Sequence, residues 1–183
     1  MLKKLSIVSP ILIVLFFFSV SANAQTEYVC SPCDIDCDTQ VYDAPGKCPH
    51  CQMELVDKST VLFTDIAIDE VPKTVASNKE IIILDVRSPE EHNGTIEGRL
   101  KIGALKNAIN INIEELPQRV SELEQYKDRE IIVYCTHSHR SRRASYILNK
   151  NGFIKVRNMA DGISQWENKN PEGGQELYID YNP

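Results

Sequence analysis

The octet Tyr134-Cys135-Thr136-His137-Ser138-His139-Arg140-Ser141 puts a cysteine just after the apolar run Ile131-Ile132-Val133-Tyr134 and just before a helical pattern. A thiol at the carboxyl end of a buried parallel strand, with a polar loop running into a helix N-terminus, sits where α/β sheets bind ligands. Loop amides and the helix dipole both favour negative charge beside the sulfur, so the Cys135 thiol is expected to ionise readily. Arg140 adds a full positive charge. Arg142 and Arg143 add two more in the first helical turn, where a cation costs roughly 0.3–1 kcal/mol. Cations set against the dipole imply an anion bound in the loop.

The other five cysteines lie upstream, within residues 27–57. Cys30 and Cys33 form one CxxC pair, Cys48 and Cys51 a second, and 14 residues separate the pairs. Two such knuckles let four thiolates converge tetrahedrally on one ion, with Gly46 permitting a tight turn ahead of the second. Two disulfides are the competing outcome. A thioredoxin-type redox pair is disfavoured, because neither CxxC opens a helix after a strand. Cys37 is a fifth thiol that could replace a ligand, pair with another cysteine or stay free, His50 and Met53 are spare soft donors, and Tyr28 is expected to cover the knuckles.

These groups need scaffolds of different kinds. Residues 27–57 carry Pro32, Pro45 and Pro49 but almost no periodic apolar pattern, so a metal or covalent bridges must hold them. From about residue 59 strand and helix signals alternate. Ile81-Ile82-Ile83-Leu84 and Ile131-Ile132-Val133-Tyr134 are the continuous runs of strands buried on both faces. Leu116, Val120 and Leu123 within 113–126, and Ala144, Ile147 and Leu148, have helical spacing. Asn151-Gly152 makes a C-cap, and a weaker strand is expected at 154–156. The order implies an α/β layer fold with a mainly parallel sheet.

The whole chain has 183 residues, 42% of them hydrophobic, with 26 acidic against 20 basic side chains and a net charge of −6. That excludes a disordered chain, and it argues against nucleic acid as a partner, which would require a basic surface. Lys3 and Lys4, an apolar run over 5–20 and Ala22-Asn23-Ala24 have the layout of a secretory signal cleaved after Ala24. The expectation is a periplasmic or secreted protein with no stable membrane insertion after cleavage. Its parts are a signal peptide (1–24), a cysteine-rich module (25–58), an α/β domain (59–170) and a tail (171–183) that reads as mobile although Leu177, Tyr178 and Ile179 could dock.

Two family resemblances follow from the motifs. Tyr28-Val29-Cys30, with Gly46-Lys47-Cys48-Pro49-His50-Cys51-Gln52-Met53-Glu54-Leu55-Val56, resembles the short heavy-metal-binding domain attached to bacterial metal-efflux proteins. Cys33 stands where that family has His, and Gln52 where it has Gly. The expected ligands are Cys30, Cys33, Cys48 and Cys51, and so soft a set favours one Zn²⁺ or Cu⁺ ion.

Leu84-Asp85-Val86-Arg87-Ser88-Pro89-Glu90-Glu91, Ala108-Ile109-Asn110-Ile111, the Cys135–Arg140 loop and Asn158 through Gly162-Ile163-Ser164-Gln165-Trp166 resemble the rhodanese-like sulfurtransferases over about 60–170. The resemblance implies a three-layer rhodanese-like fold. It also implies that Cys135 carries sulfane sulfur as a persulfide, from a donor such as thiosulfate to a thiol or cyanide acceptor, without a cofactor. The substrate-binding residues are then Thr136, His137, Ser138, His139, Arg140 and Ser141. Asp85 and Arg87 support the loop, the arginine by pairing with Glu91. Four residues separate Cys135 from Arg140, where related phosphatases have five, so the loop size favours sulfur over phosphate. Thr136, Ser138 and the two histidines depart from the usual loop, and Ser138 is expected to be strained if its φ is positive. Residues 93–102 look like an insertion forming a lip. The altered loop leaves a second possibility, a catalytically weak binding protein for thiophilic metal handling or oxidant sensing.

Overall fold

The computed structural model describes residues 25–97 and 101–182. The expected signal peptide lies outside the described residues, as does part of the 93–102 insertion. No helix among the described residues is long and apolar enough to cross a membrane.

The amino-terminal module is a small antiparallel sheet in the order β2-β1-β3, made of β1 (Tyr28–Cys30), β2 (Val41–Tyr42) and β3 (Leu55–Asp57). Its interior is sulfur: Cys30, Cys37 and Cys48 are buried, with Cys51, Met53 and Leu55 packed against them. Absence of apolar periodicity therefore means that thiols occupy the place of a hydrocarbon core.

The larger domain runs β4 (Thr64–Ile66), α1 (Val71–Ser77), β5 (Ile82–Asp85), α2 (Pro89–His92), β6 (Ala104–Leu105), β7 (Ile109–Asn110), α3 (Leu116–Arg119), β8 (Ile131–Tyr134), α4 (His139–Lys150), β9 (Val156–Met159), α5 (Trp166–Lys169) and β10 (Tyr178–Ile179). Five of these strands form a parallel sheet in the order β4-β9-β8-β5-β7. β8 lies at its centre and is buried throughout, as its unbroken apolar run requires. Alternation along it sends Ile131, Val133 and Cys135 into one core, with Ala144 and Leu148 of α4, and Ile132 and Tyr134 into the other, with Trp166 and Ile163. The strand's period of two thus chooses the face on which the thiol lies.

Two expectations change in detail and a third is decided. The 113–126 helix is one α-turn (α3) continued as a 3₁₀ turn over Val120–Tyr126, although Leu116 and Leu123 are buried as their spacing predicts. The strand expected at 154–156 is β9 instead, because Phe153 turns into the core and pairing with β8 starts at Val156. Of the two readings of residues 171–182, a mobile tail or one docked through Leu177, Tyr178 and Ile179, the structure has the docked one. β10 pairs with β6, and Tyr178 stacks on Trp166 with ring centroids 6.0 Å apart. The Tyr178 hydroxyl accepts from the Gly103 N–H at 2.9 Å and donates to Glu167 at 2.8 Å.

Candidate functional site

Cys135 leaves the end of β8 and is 1% exposed, at the floor of the loop that feeds α4. Ser138 has φ of 75°, so the condition for strain at this non-glycine is met. Its side chain does not cap the helix, and the N–H groups of Thr136 through Ser141 find no acceptor among the described residues. A run of unclaimed amides at a helix start is an anion cradle, and here it surrounds a thiol. Ser141 Oγ lies 3.6 Å from Cys135 Sγ and also meets the Ser138 carbonyl at 2.9 Å and Asn158 Oδ1 at 2.7 Å.

Gly162 supports the loop from below. With φ of 71° and ψ of 173° it occupies a region open essentially to glycine, and a Cβ there would run into the Thr136 carbonyl. The following amides hold the loop: Ile163 N–H donates to Cys135 O at 2.9 Å and Ser164 N–H to Thr136 O at 3.1 Å. Ser164 Oγ also meets exposed His137 at Nδ1, 2.9 Å away.

Arg140 is not left free for an external anion. Its guanidinium grips Glu91 with two bonds, at 2.7 and 2.9 Å, and donates to Thr136 Oγ1 at 2.9 Å. That grip, against partial burial, takes the Glu91 carboxyl down to about 2. The same pairing, again against burial and with a smaller contribution from the Cys135 thiol, raises Arg140 above its ordinary value. The expected Arg87–Glu91 pair is therefore corrected. Arg87 is buried on Asp85 with contacts of 2.7–3.1 Å, because the Asp85-Val86-Arg87 turn folds the guanidinium back onto the strand's last carboxylate. Asp85 also takes His92 Nδ1 at 2.9 Å, and burial of this carboxylate is outweighed by His92 and Arg87, which keep its pKa lowered. The anion-binding arginine cluster is corrected in the same way. Arg142 pairs with Asp65 at 2.8 Å and Arg143 with Glu114 at 3.4 Å.

In the cysteine module the Sγ atoms of Cys30, Cys37, Cys48 and Cys51 lie within 4.8 Å of one another. The four-ligand expectation is corrected at one position: Cys37 occupies the place assigned to Cys33. Cys33 instead sits with Cys30 and Asp38, because the chain reverses at Asp34, with φ of 65°, and the 3₁₀ turn over Asp36–Thr39 swings Cys37 inward. Tyr42, not Tyr28, carries the hydroxyl at the cluster, 3.7 Å from Cys48 Sγ. All six cysteines carry free thiols.

The donor set suits a thiophilic ion. Tetrahedral metal–sulfur bonds of about 2.3 Å need sulfurs about this close. Burial pushes the Cys48 thiol up, but the Cys51 and His50 N–H groups and the Tyr42 hydroxyl overcome it and bring it down to about 6. Burial and the neighbouring thiols take Cys37 up to about 11 and push Cys30 up further. Cys48 is thus the sulfur readiest to meet a cation as thiolate, and Cys30 and Cys37 lose their protons when the ion binds. Cys30, Cys37, Cys48 and Cys51 would hold the ion.

The two sites adjoin. His139 Nδ1 lies 2.7 Å from the Cys33 carbonyl, so that nitrogen carries the proton. Arg142 Nε approaches Asp38 Oδ2 at 3.4 Å while its other end grips Asp65. Asp65 accepts from Asn158 Nδ2 at 2.8 Å, and the same amide donates to Ser138 Oγ at 3.0 Å. The module therefore meets the Cys135 loop directly through the His139–Cys33 hydrogen bond, and a 3.4 Å ion contact of Arg142 with Asp38 lies beside it.

The sequence assigned no role to Asp65, gave Glu91 to Arg87 and not to Arg140, and offered Asn158 and Ser164 only as parts of a family motif. Only Glu91 had a local signal, since Ser88-Pro89-Glu90-Glu91 is a capping box and both of its bonds form. The others act across the sheet.

Among known proteins, residues 68–169 match the rhodanese-like domain model and residues 27–58 the heavy metal binding domain model. A sulfurtransferase of Allochromatium vinosum is 26% identical over 57% of this chain and 89% of its own length. A tRNA uridine(34) hydroxylase of Cytophaga hutchinsonii is 29% identical over 57% of this chain, which spans only 31% of that relative. The crystal structure of a rhodanese-related protein from Thermoplasma volcanium superposes with a TM-score of 0.51 at 26% identity, covering 64% of this chain and 98% of the other.

Proposed function

The chain belongs to the rhodanese-like family, with a heavy metal binding domain ahead of it, and from that premise we propose that it is a periplasmic or secreted sulfurtransferase working through a persulfide on Cys135. The observation that carries this proposal is the position of Cys135 at the floor of a loop whose amides from Thr136 to Ser141 are unclaimed among the described residues. With thiosulfate as donor, the Cys135 thiolate attacks the outer sulfur. The sulfur–sulfur bond breaks, sulfite leaves with the electron pair, and the terminal sulfur of the new persulfide carries the negative charge. The loop amides stabilise that charge. A thiol or cyanide then takes the outer sulfur and returns the Cys135 thiolate. At 1% exposure Cys135 admits a small donor more readily than a large one.

A catalytically weak binding protein is the second possibility. The specific observation in its favour is the Glu91 carboxylate, which occupies the arginine that ends the loop. Mass spectrometry of the full chain after thiosulfate distinguishes the two. One added sulfur, lost on cyanide treatment with release of thiocyanate and absent in Cys135→Ser, is the expected result. Wild-type protein that acquires no sulfur from any sulfane donor would overturn the enzyme assignment.

A further inference from the structure

The corrected ligand set leaves Cys33 outside the four-thiol cluster but not isolated. Cys30 Sγ, Cys33 Sγ and an Asp38 carboxylate oxygen also lie within 4.8 Å of one another, so Cys30 is common to both groups. Asp38 is already oriented for a ligand role. Its Oδ2 accepts from the N–H groups of Cys33 at 2.8 Å and Asp34 at 2.7 Å, which leaves Oδ1 facing Cys33 Sγ at 3.4 Å. The carboxylate side chain is only 8% exposed, and Arg142 approaches it from the Oδ2 side.

We propose that the module holds a second thiophilic cation at Cys30, Cys33 and Asp38, with the Cys30 thiolate bridging it to the ion of the four-thiol cluster. The proposal rests on the metal-binding character of that cluster. A thiolate has lone pairs for two metals, and four thiolates around one divalent ion leave an excess of two negative charges in a buried site. A second cation on the shared sulfur offsets that excess. Two sulfurs and one oxygen are three donors, fewer than the first ion has, so the second ion should be bound more weakly and exchange with solvent or with a carrier. A mixed sulfur–oxygen set suits Zn²⁺ better than Cu⁺. The site also lies on the side of the module that meets the Cys135 loop, since the Cys33 carbonyl receives His139 and Asp38 receives Arg142.

The test is anaerobic titration of the reduced full chain with Zn²⁺, counting bound ions by native mass spectrometry. Two ions per chain are expected, the second at least tenfold weaker. Cys33→Ser should bind one ion only, and Asp38→Asn should weaken the second ion about tenfold while leaving the first unchanged. With ¹¹³Cd²⁺ in place of Zn²⁺, two cadmium resonances with mutual scalar coupling would report the bridging sulfur directly. Saturation at one ion in the wild type, or two ions retained in Cys33→Ser, would overturn the second site while leaving the four-thiol cluster standing. No bound ion at all would overturn both.

Discussion

The molecule carries two thiol sites built on opposite plans. In the module of residues 27–58, Cys30, Cys37, Cys48 and Cys51 are themselves most of the interior, with only Met53 and Leu55 packed against them beneath three strands joined by short antiparallel ladders. In the rhodanese-like domain a single cysteine is placed by everything around it: a central strand, an alternation that selects the face, a glycine beneath the loop and a carboxylate beside the arginine. The first site is completed by its ligand and the second by its fold. That contrast predicts which perturbations damage one site and spare the other.

Removal of metal should give the largest separation. Binding of a structural ion to four thiolates contributes on the order of 10 kcal/mol, and the module has no apolar core to replace it. Stripping with a chelator should therefore unfold 27–58, seen as loss of amide-exchange protection there, while 68–169 keeps its protection. Because Cys37 is inside the cluster and Cys33 is not, Cys37→Ser should mimic stripping and Cys33→Ser should leave the module folded. Equal damage from the two variants would contradict the corrected ligand set.

The converse perturbation is Gly162→Ala. Its backbone angles and the Thr136 carbonyl both oppose a side chain, so a cost of about 3 kcal/mol is expected from strain and overpacking together. Urea unfolding of the α/β domain should move to lower denaturant, and persulfide formation should fall, with metal binding unchanged. Coincident loss of metal binding would show that the sites are less independent than their construction implies.

Legibility from sequence divides along the same line. The β5 and β8 runs, the α4 helix with its Asn151-Gly152 cap and the place of Cys135 are local patterns, and each could be read because neighbours in sequence carry the signal. The ligand set could not be read from the two CxxC spacings. Cys33 and Cys37 compete for one position, and the choice depends on a left-handed residue at Asp34 and on a carboxylate, Asp38, that captures the Cys33 amide. Pairing of charges was equally hidden. The run Arg140 to Arg143 reads as an uncompensated cluster until residues 49, 77 and 29 positions away in sequence supply Glu91, Asp65 and Glu114.

Contacts between the two sites offer a smaller effect. Arg142 links Asp38 of the module to Asp65 of the domain and lies over the Phe63 ring at 5.2 Å. Asp65 is half exposed and the approach to buried Asp38 is long at 3.4 Å, so Arg142→Ala should cost only about 1 kcal/mol. Faster amide exchange confined to residues 31–40 and the Cys135 loop is the expected signature. Unchanged exchange at the loop would mean that the two sites touch without coupling.

The smallest effect concerns acid, and it isolates the clamp on Arg140. Glu91 has its carboxyl taken down to about 2 in the folded chain, from an ordinary value near 4.5. A depressed carboxyl contributes stability that is fully present above its unfolded pKa and is lost as pH falls through the folded one. The window therefore runs from about pH 4.5 down to about pH 2. The Arg140 and Glu91 side chains are 35% and 21% exposed, so solvent screening reduces the contribution to about 1–2 kcal/mol. Glu91→Gln is the appropriate variant, because glutamine can still serve in the capping box with Ser88 while giving up the ion pair. Urea unfolding should show wild type more stable than this variant by about 1–2 kcal/mol at pH 7, less so near pH 3, and equally stable near pH 2. The variant also frees the Arg140 charge, so its affinity for an anionic donor should rise at pH 7. A stability difference that stayed constant across the acid range would assign the Glu91 contribution to packing and capping, and the charge of the arginine would then play no part in holding the loop closed.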